Sequence, residues 1–186
     1  MTKFKLAGAP PPLSRTYWVL DEKLLAGAYA GQPDPTAHEA RLSGLFNAGM
    51  RTIVNLMEED ETNNDGEAFV PYDKRLQEIA AKAGERVDCL RFPIVDRHIT
   101  TNEHMRGILD AIDGSLESER PVYVHCFGGI GRTGTVVCCW LLRHGLATPG
   151  NVFTQLRQLR LVDDARASWP APENDIQRAF VLQWNE

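Results

Sequence analysis

Cysteine is scarce in this chain and forms no framework: Cys89, Cys126, Cys138 and Cys139 are the four in 186 residues. No C-x-x-C pair marks a zinc site, and a chain of this size without spaced cysteines reads as reduced and intracellular. An excess of basic charge is lacking too. Lys and Arg number 20 against 25 Asp and Glu, a formal net charge of −5, and the bases are scattered, so neither nucleic acid nor an anionic membrane is expected as a partner. No apolar run approaches a membrane span. The N-terminus runs into Pro10-Pro11-Pro12 without the apolar core of a secretory signal. Repeats and low-complexity tracts are absent. What remains is a cytoplasmic enzyme of one domain, for which an apolar fraction of 43% is ordinary.

What is present is strands interleaved with helices. Residues 1–15 are expected to be a loose arm, since three consecutive prolines enter neither a helix interior nor a central strand, and 16–186 form the domain. Tyr17–Leu20 and Leu24–Ala28 read as a hairpin at one sheet edge. Thr36 is expected to cap a helix ending near Gly49. Arg51–Met57 fits a buried strand. The acidic run Glu58-Glu59-Asp60-Glu61 reads as a solvated loop, with a rim that discourages acidic substrates as the sharper alternative. A helix follows from near Pro71 to Ala83, then a strand over Val87–Phe92.

Thr100-Thr101-Asn102-Glu103 reads as a capping box before a helix with Met105, Ile108, Leu109, Ile112 and Leu116 inward. Pro121–Val124 is a strand, and Val136–Leu142, apolar all round, is a buried central helix. Thr148 and Pro149 start a helix with Val152, Phe153, Leu156 and Leu159 buried. Ile176, Phe180, Val181 and Trp184 suggest a last one. The sum is an α/β single layered domain, with a central, mainly parallel sheet flanked by helices.

One stretch organises the rest. His125-Cys126-Phe127-Gly128-Gly129-Ile130-Gly131-Arg132-Thr133-Gly134 joins a strand to a helix through a glycine-rich turn. Backbone N–H groups and the helix dipole converge there and make a phosphate site. A cysteine held near a helix N-terminus and an arginine ionises with a pKa of roughly 3.5–7.5, and Cys126 occupies such a setting. Arg132 can return to the same point and hold two phosphoryl oxygens with its planar fork.

His125-Cys126, five residues, then Arg132-Thr133 resembles the signature loop of the cysteine-dependent protein tyrosine phosphatase superfamily. The shortness of the chain looks like the dual-specificity branch. The wording of the loop, Phe92-Pro93-Ile94-Val95-Asp96 upstream and Gln155–Arg160 downstream are similar to the group around the cyclin-dependent-kinase-associated phosphatase and its bacterial relatives. The resemblance implies the layered fold, no cofactor and no metal. It makes 16–186 a phosphatase catalytic domain, with Cys126 as nucleophile and with Arg132 and the amides of Phe127, Gly128, Gly129, Ile130 and Gly131 as the oxyanion cradle. His125 tunes the cysteine, and the Thr133 hydroxyl assists breakdown of the intermediate.

Phosphate-monoester hydrolysis also needs a general acid. Asp96, on a proline-bounded loop after a strand, is the candidate and matches the family's mobile acid loop; Asp88 is the reserve. Gln177 resembles the glutamine that positions the hydrolytic water in some branches. The leading expectation is a phosphorylated protein as substrate, phosphotyrosine and then phosphoserine or phosphothreonine. One alternative is a phosphoinositide or soluble polyphosphate, against which the lack of Lys or Arg among the five loop residues counts. A second alternative is a phosphoprotein-binding module without turnover. The sequence leaves the oligomeric state open.

Overall fold

The computed structural model describes residues 4–163 and 166–185, and there strands and helices alternate. In chain order they are β1 (Thr16–Leu20), β2 (Leu24–Gly27), α1 (Pro35–Asn47), β3 (Thr52–Asn55), α2 (Asp73–Lys82) and β4 (Asp88–Arg91). Then come α3 (Asn102–Glu117), β5 (Val122–His125), α4 (Gly131–Arg143), α5 (Val152–Arg160) and α6 (Asp175–Gln183). The sheet order is β1-β2-β5-β3-β4. β1 pairs antiparallel with β2 as an edge hairpin, and the other pairs are parallel.

Strand alternation sorts the core onto two faces. Leu24, Ala26, Val54, Val122 and Val124 meet residues of α3, α4, α5 and α6. Leu25, Ile53 and Tyr123 face Leu42 and Leu45 of α1 and Leu76 and Ala80 of α2. A parallel sheet covered on both faces needs strands that are apolar throughout, and β2, β3 and β5 are buried at every position. By the same alternation His125 turns toward the α1/α2 face, with Tyr123.

α4 is buried from Gly131 to Leu141. Its far end is fastened to α3 by Asp113, whose carboxylate accepts from Trp140 Nε1 at 2.8 Å, His144 Nε2 at 3.0 Å and Arg143 Nη1 at 3.1 Å. Among the described residues no helix is long and apolar enough to cross a membrane.

Several expected details shift. Asp34, not Thr36, caps α1, its carboxylate accepting from Ala37 N–H at 2.7 Å, which leaves Pro35 at the first helical position where its missing N–H costs nothing. Thr101 rather than Thr100 caps α3. Residues 148–151 form a turn closed by Thr148 N–H on Asn151 Oδ1, so α5 starts three residues after Pro149, at Val152. On α6, Ile176 is 58% exposed while Gln177 is fully buried, because the inward face carries polar contacts to the site. The segment 4–15, expected as a loose arm, has no helix or strand but is held to the body. The Phe4 ring lies 5.3 Å from that of Trp140, Ala7 N–H donates to Val19 O at 3.1 Å, and Asp21 accepts from Gly8 and Ala9. Residues 1–3 lie outside the described part.

Candidate active site

β5 ends where the glycine-rich loop begins, and α4 starts at Gly131 with no side-chain cap on its first turn, so amides that a capping side chain would otherwise occupy stay available to an anion. Gly129 makes the turn possible. Its φ is +73°, and a Cβ there would lie 2.5 Å from Gly27 C, so it packs against the end of β2. Gly129 therefore shapes the loop without lining the cavity, unlike Phe127, Gly128, Ile130 and Gly131. Gly131 is crowded in a different way: a Cβ there would meet the side-chain ends of Glu173, at 2.6 Å, and Gln177, at about 3 Å, which would have to move aside.

Cys126, 3% exposed, lines a cavity of about 450 Å³ together with Arg132, Asp96, Arg166, Trp169 and Glu173. Arg132 is 2% exposed. Its Nη1 donates to Ile94 O at 3.0 Å, and its fork meets both oxygens of Glu61 at 2.6 and 2.7 Å. Nη2 also reaches Asp96 Oδ1 at 2.9 Å. Burial works against the guanidinium's charge, but the hydrogen-bonded Glu61 carboxylate, with Cys126 and Asp96 beside it, more than offsets this and raises its pKa.

His125 is fully buried. Its Nδ1 faces Cys126 O at 3.2 Å; a carbonyl only accepts, so this nitrogen carries the proton. Nε2 then accepts from Tyr72 OH at 2.6 Å. Burial lowers the imidazole pKa to about 3, against the Cys126 carbonyl contact that favours its charged form, so the ring is neutral and is no acid or base at pH 7. Thr133 Oγ1 is buried without a hydrogen-bond partner.

Asp96 is half exposed on the loop after β4. That loop is tied to the start of α6, where Asn174 Nδ2 donates to Arg97 O at 2.8 Å and Arg97 Nε meets Glu173 Oε1 at 3.2 Å. Arg97 adopts φ +61° to make the turn. Asp88 stands at the opposite end of β4, paired with Arg120 and Arg86, which removes it as an acid for this site. Gln177 does not line the cavity. Its Oε1 accepts from Glu173 N–H at 3.1 Å, so it acts on the site's edge through Glu173.

Three cavity neighbours were not legible beforehand. Glu61 belongs to the acidic run read as solvated, yet its side chain is 11% exposed and seated on Arg132; the solvated reading fails there, while Glu59 and Asp60 are exposed. Glu173 and Arg166 come from segments with no motif. The usable signal was topological: loops that follow parallel strands converge at the carboxyl edge of the sheet, which brings 58–70 to the phosphate turn.

Over residues 15–172 the sequence matches the family model of the DSP-PTPase phosphatase domain of the Swiss Army Knife type. The chain belongs to this phosphatase family. An uncharacterized protein of Methanocaldococcus jannaschii is 42% identical over 99 residues, 53% of this chain and 56% of that protein. The chain spans about half the length of two curated relatives it matches, 56% and 44%. Among solved structures, Tk-PTP in its active form superposes with a TM-score of 0.62 at 23% identity, covering 87% of this chain and 89% of that one. The kinase associated phosphatase, with serine for its catalytic-site cysteine, gives 0.65 at 20% identity over 85% and 83%. The structural likenesses bear out the mainly parallel layered fold, and the family model bears out the dual-specificity branch.

Proposed function

We propose that the protein hydrolyses phosphate monoesters through a cysteinyl-phosphate intermediate, with phosphotyrosine of proteins as the leading substrate and phosphoserine and phosphothreonine next. One observation carries this reading: Cys126 and Arg132 line one cavity at the opening of an uncapped helix, with the Asp96 carboxylate 2.9 Å from the guanidinium.

The Cys126 sulfur attacks phosphorus, and the bond from phosphorus to the ester oxygen breaks. Arg132 and the amides from Phe127 to Arg132 hold the equatorial oxygens. A phosphoryl group seated on Arg132 displaces Asp96 from Nη2; away from the guanidinium and beside the phosphoryl charge the carboxylate takes up a proton from solvent, and it gives this proton to the leaving oxygen. Water then attacks phosphorus, gives its proton to Asp96, and the phosphorus–sulfur bond breaks, releasing phosphate. Thr133, with an uncommitted hydroxyl, donates to the departing sulfur. Gln177 orders the water through Glu173. Glu61 is a positioning residue: it fixes the fork of Arg132 on the side away from substrate. No metal ion or cofactor enters the scheme. A reduced, cytoplasmic setting belongs to the same proposal, and four cysteines without a disulfide-framework spacing support it.

A second reading, a phosphoinositide or soluble polyphosphate, gains from Arg97 and Arg166, which line the cavity from outside the loop. A third, a binding module, is separated from both by turnover. Phosphotyrosine, phosphoserine and phosphothreonine peptides and a phosphoinositide are assayed side by side, with Cys126→Ser as the control. Turnover is expected for the phosphotyrosine peptide first, and none with Cys126→Ser, which still binds phosphate. Hydrolysis by Cys126→Ser well above background would remove the nucleophile; binding without turnover by the unaltered protein would leave the binding module.

A further inference from the structure

A cationic side chain that the scheme above does not use stands beside the loop. Arg15 precedes β1 with φ +58°, a conformation uncommon for a residue with a side chain. Its backbone oxygen is held by Ala28 N–H at 3.1 Å, which fixes the main chain from which the side chain departs. The charges around it are Arg41 and Arg166, which oppose its own, and Asp163, which favours it. Yet Nε and Nη2 of Arg15 and Oδ1 of Asp163 are all buried without a hydrogen-bond partner. The Nη1 and Nη2 groups of Arg41 are taken up by Ser14 O at 3.1 Å and by Ala28 O and Tyr123 OH at 3.4 Å, while its Nε is likewise buried without a partner. Buried donors left unmade are costly, and in a native structure they call for an explanation such as a missing ion.

Arg166 supplies the other half. Its Nη1 donates to Gly128 O of the loop at 3.2 Å, and its guanidinium lies over the Trp169 ring at 5.1 Å. That contact uses one of five donors. Arg166 lines the cavity of Cys126, and Arg15 lines a neighbouring cavity of about 450 Å³; the two share Phe127 and Asn64. A guanidinium therefore lines each of the two cavities that meet at Phe127, the second of which also carries the carboxylates of Asp65 and Glu67 on its wall.

We propose that Arg15 and Arg166 form a second phosphate subsite, across Phe127 from Cys126, which holds a second phosphoryl group of the substrate being hydrolysed. The inference rests on the phosphatase reading. The loop itself carries no Lys or Arg, which counted against polyphosphates; here the extra cations come from the segments before β1 and before α6. Planar guanidinium forks suit phosphoryl oxygens. The second phosphate has two sources of the same chemistry, a doubly phosphorylated peptide and a bisphosphorylated polyol.

The test compares the full chain with Arg15→Gln on p-nitrophenyl phosphate, on a peptide carrying one or two phosphorylated residues, and on inositol mono- and bisphosphates. For the source that fits, Arg15→Gln is expected to raise KM for the doubly phosphorylated substrate about tenfold, the scale of one charge-assisted hydrogen bond. kcat and turnover of p-nitrophenyl phosphate stay within about twofold, and Arg15→Lys recovers part of the loss. Independently of how Arg15→Gln folds, Cys126→Ser protein with Arg15 intact should bind the doubly phosphorylated ligand about tenfold more tightly than its singly phosphorylated counterpart. Equal affinity in both the peptide and the polyol series, or equal effects of Arg15→Gln on singly and doubly phosphorylated substrates, overturns the subsite while leaving the phosphatase reading intact. Absence of turnover on every substrate overturns the phosphatase reading instead.

Discussion

The loop that leaves β5 and the loops that leave β3 and β4 meet at Arg132, and they are built by opposite means. The first runs five residues from β5 to α4, is fixed by Gly129 against β2, and has Cys126 and Arg132 within seven positions of each other. The other two are long, and each contributes one carboxylate, Glu61 at 2.6 Å and Asp96 at 2.9 Å from the same guanidinium. They differ in burial: Glu61 is 11% exposed and Asp96 51%. A buried carboxylate with both oxygens engaged is a fixed support. A half-exposed one on a single bond is a group that can exchange places with substrate. On the proposed mechanism the short loop binds, while the long loops divide support from proton transfer between them.

The sharpest way to break this division is Asp96→Asn. If the β4 loop carries the acid, kcat falls by about 10²–10⁴ while affinity for substrate changes little, because the proton is needed only in the transition state. The loss shrinks for p-nitrophenyl phosphate, whose leaving group needs no proton. Rates measured on aryl and alkyl phosphates decide it: an equal loss on both would assign the proton to another group, for which Glu173 on the cavity wall is the nearest candidate.

The contrast between the loops also explains what could be read from the sequence. Cys126, Arg132 and the glycines were legible because chain spacing alone brings them together. The hairpin edge, the all-buried α4 and the inward face of α3 followed from periodicity. Asp96 was legible through the strand that delivers it. Glu61 was not, because its partner is 71 residues away and its neighbours Glu59 and Asp60 are exposed, so composition described the run and missed its inward member. Arg15 was hidden for a similar reason: it follows a proline-rich segment read as loose, whereas Asp21, Val19 and Trp140 hold that segment in place.

Glu61→Gln tests whether the β3 loop is a support. Substitution keeps the shape and removes the charge opposite a buried guanidinium, so unfolding free energy should drop by about 1–3 kcal/mol without phosphate. Added phosphate should restore part of it by supplying the missing anion. The exposed neighbour is the control, since Glu59→Gln should stay within about 0.5 kcal/mol. Denaturant unfolding of the two variants, with and without phosphate, reads the difference directly. If they behave alike, the whole acidic run is solvated after all.

The smallest effect concerns a long-range tie at the base of the short loop, the bond from Tyr72 OH to His125 Nε2. Burial holds the native imidazole pKa at about 3, whereas the unfolded chain titrates near 6.5. Between these values the unfolded state binds a proton that the native state refuses, so stability falls as pH drops from about 6.5 toward 3, by about 1.4 kcal/mol per pH unit from this group. Above pH 6.5 the group adds no slope. His125→Asn should be less stable than the unaltered protein at pH 7, through loss of the Tyr72 contact, but its stability should decline less steeply in acid by that amount per pH unit. The two unfolding curves, followed from pH 7 to pH 4.5, should therefore converge. Parallel curves would mean that His125 takes up its proton in the folded state, and the short loop would then carry a charge next to Cys126 that its burial argues against.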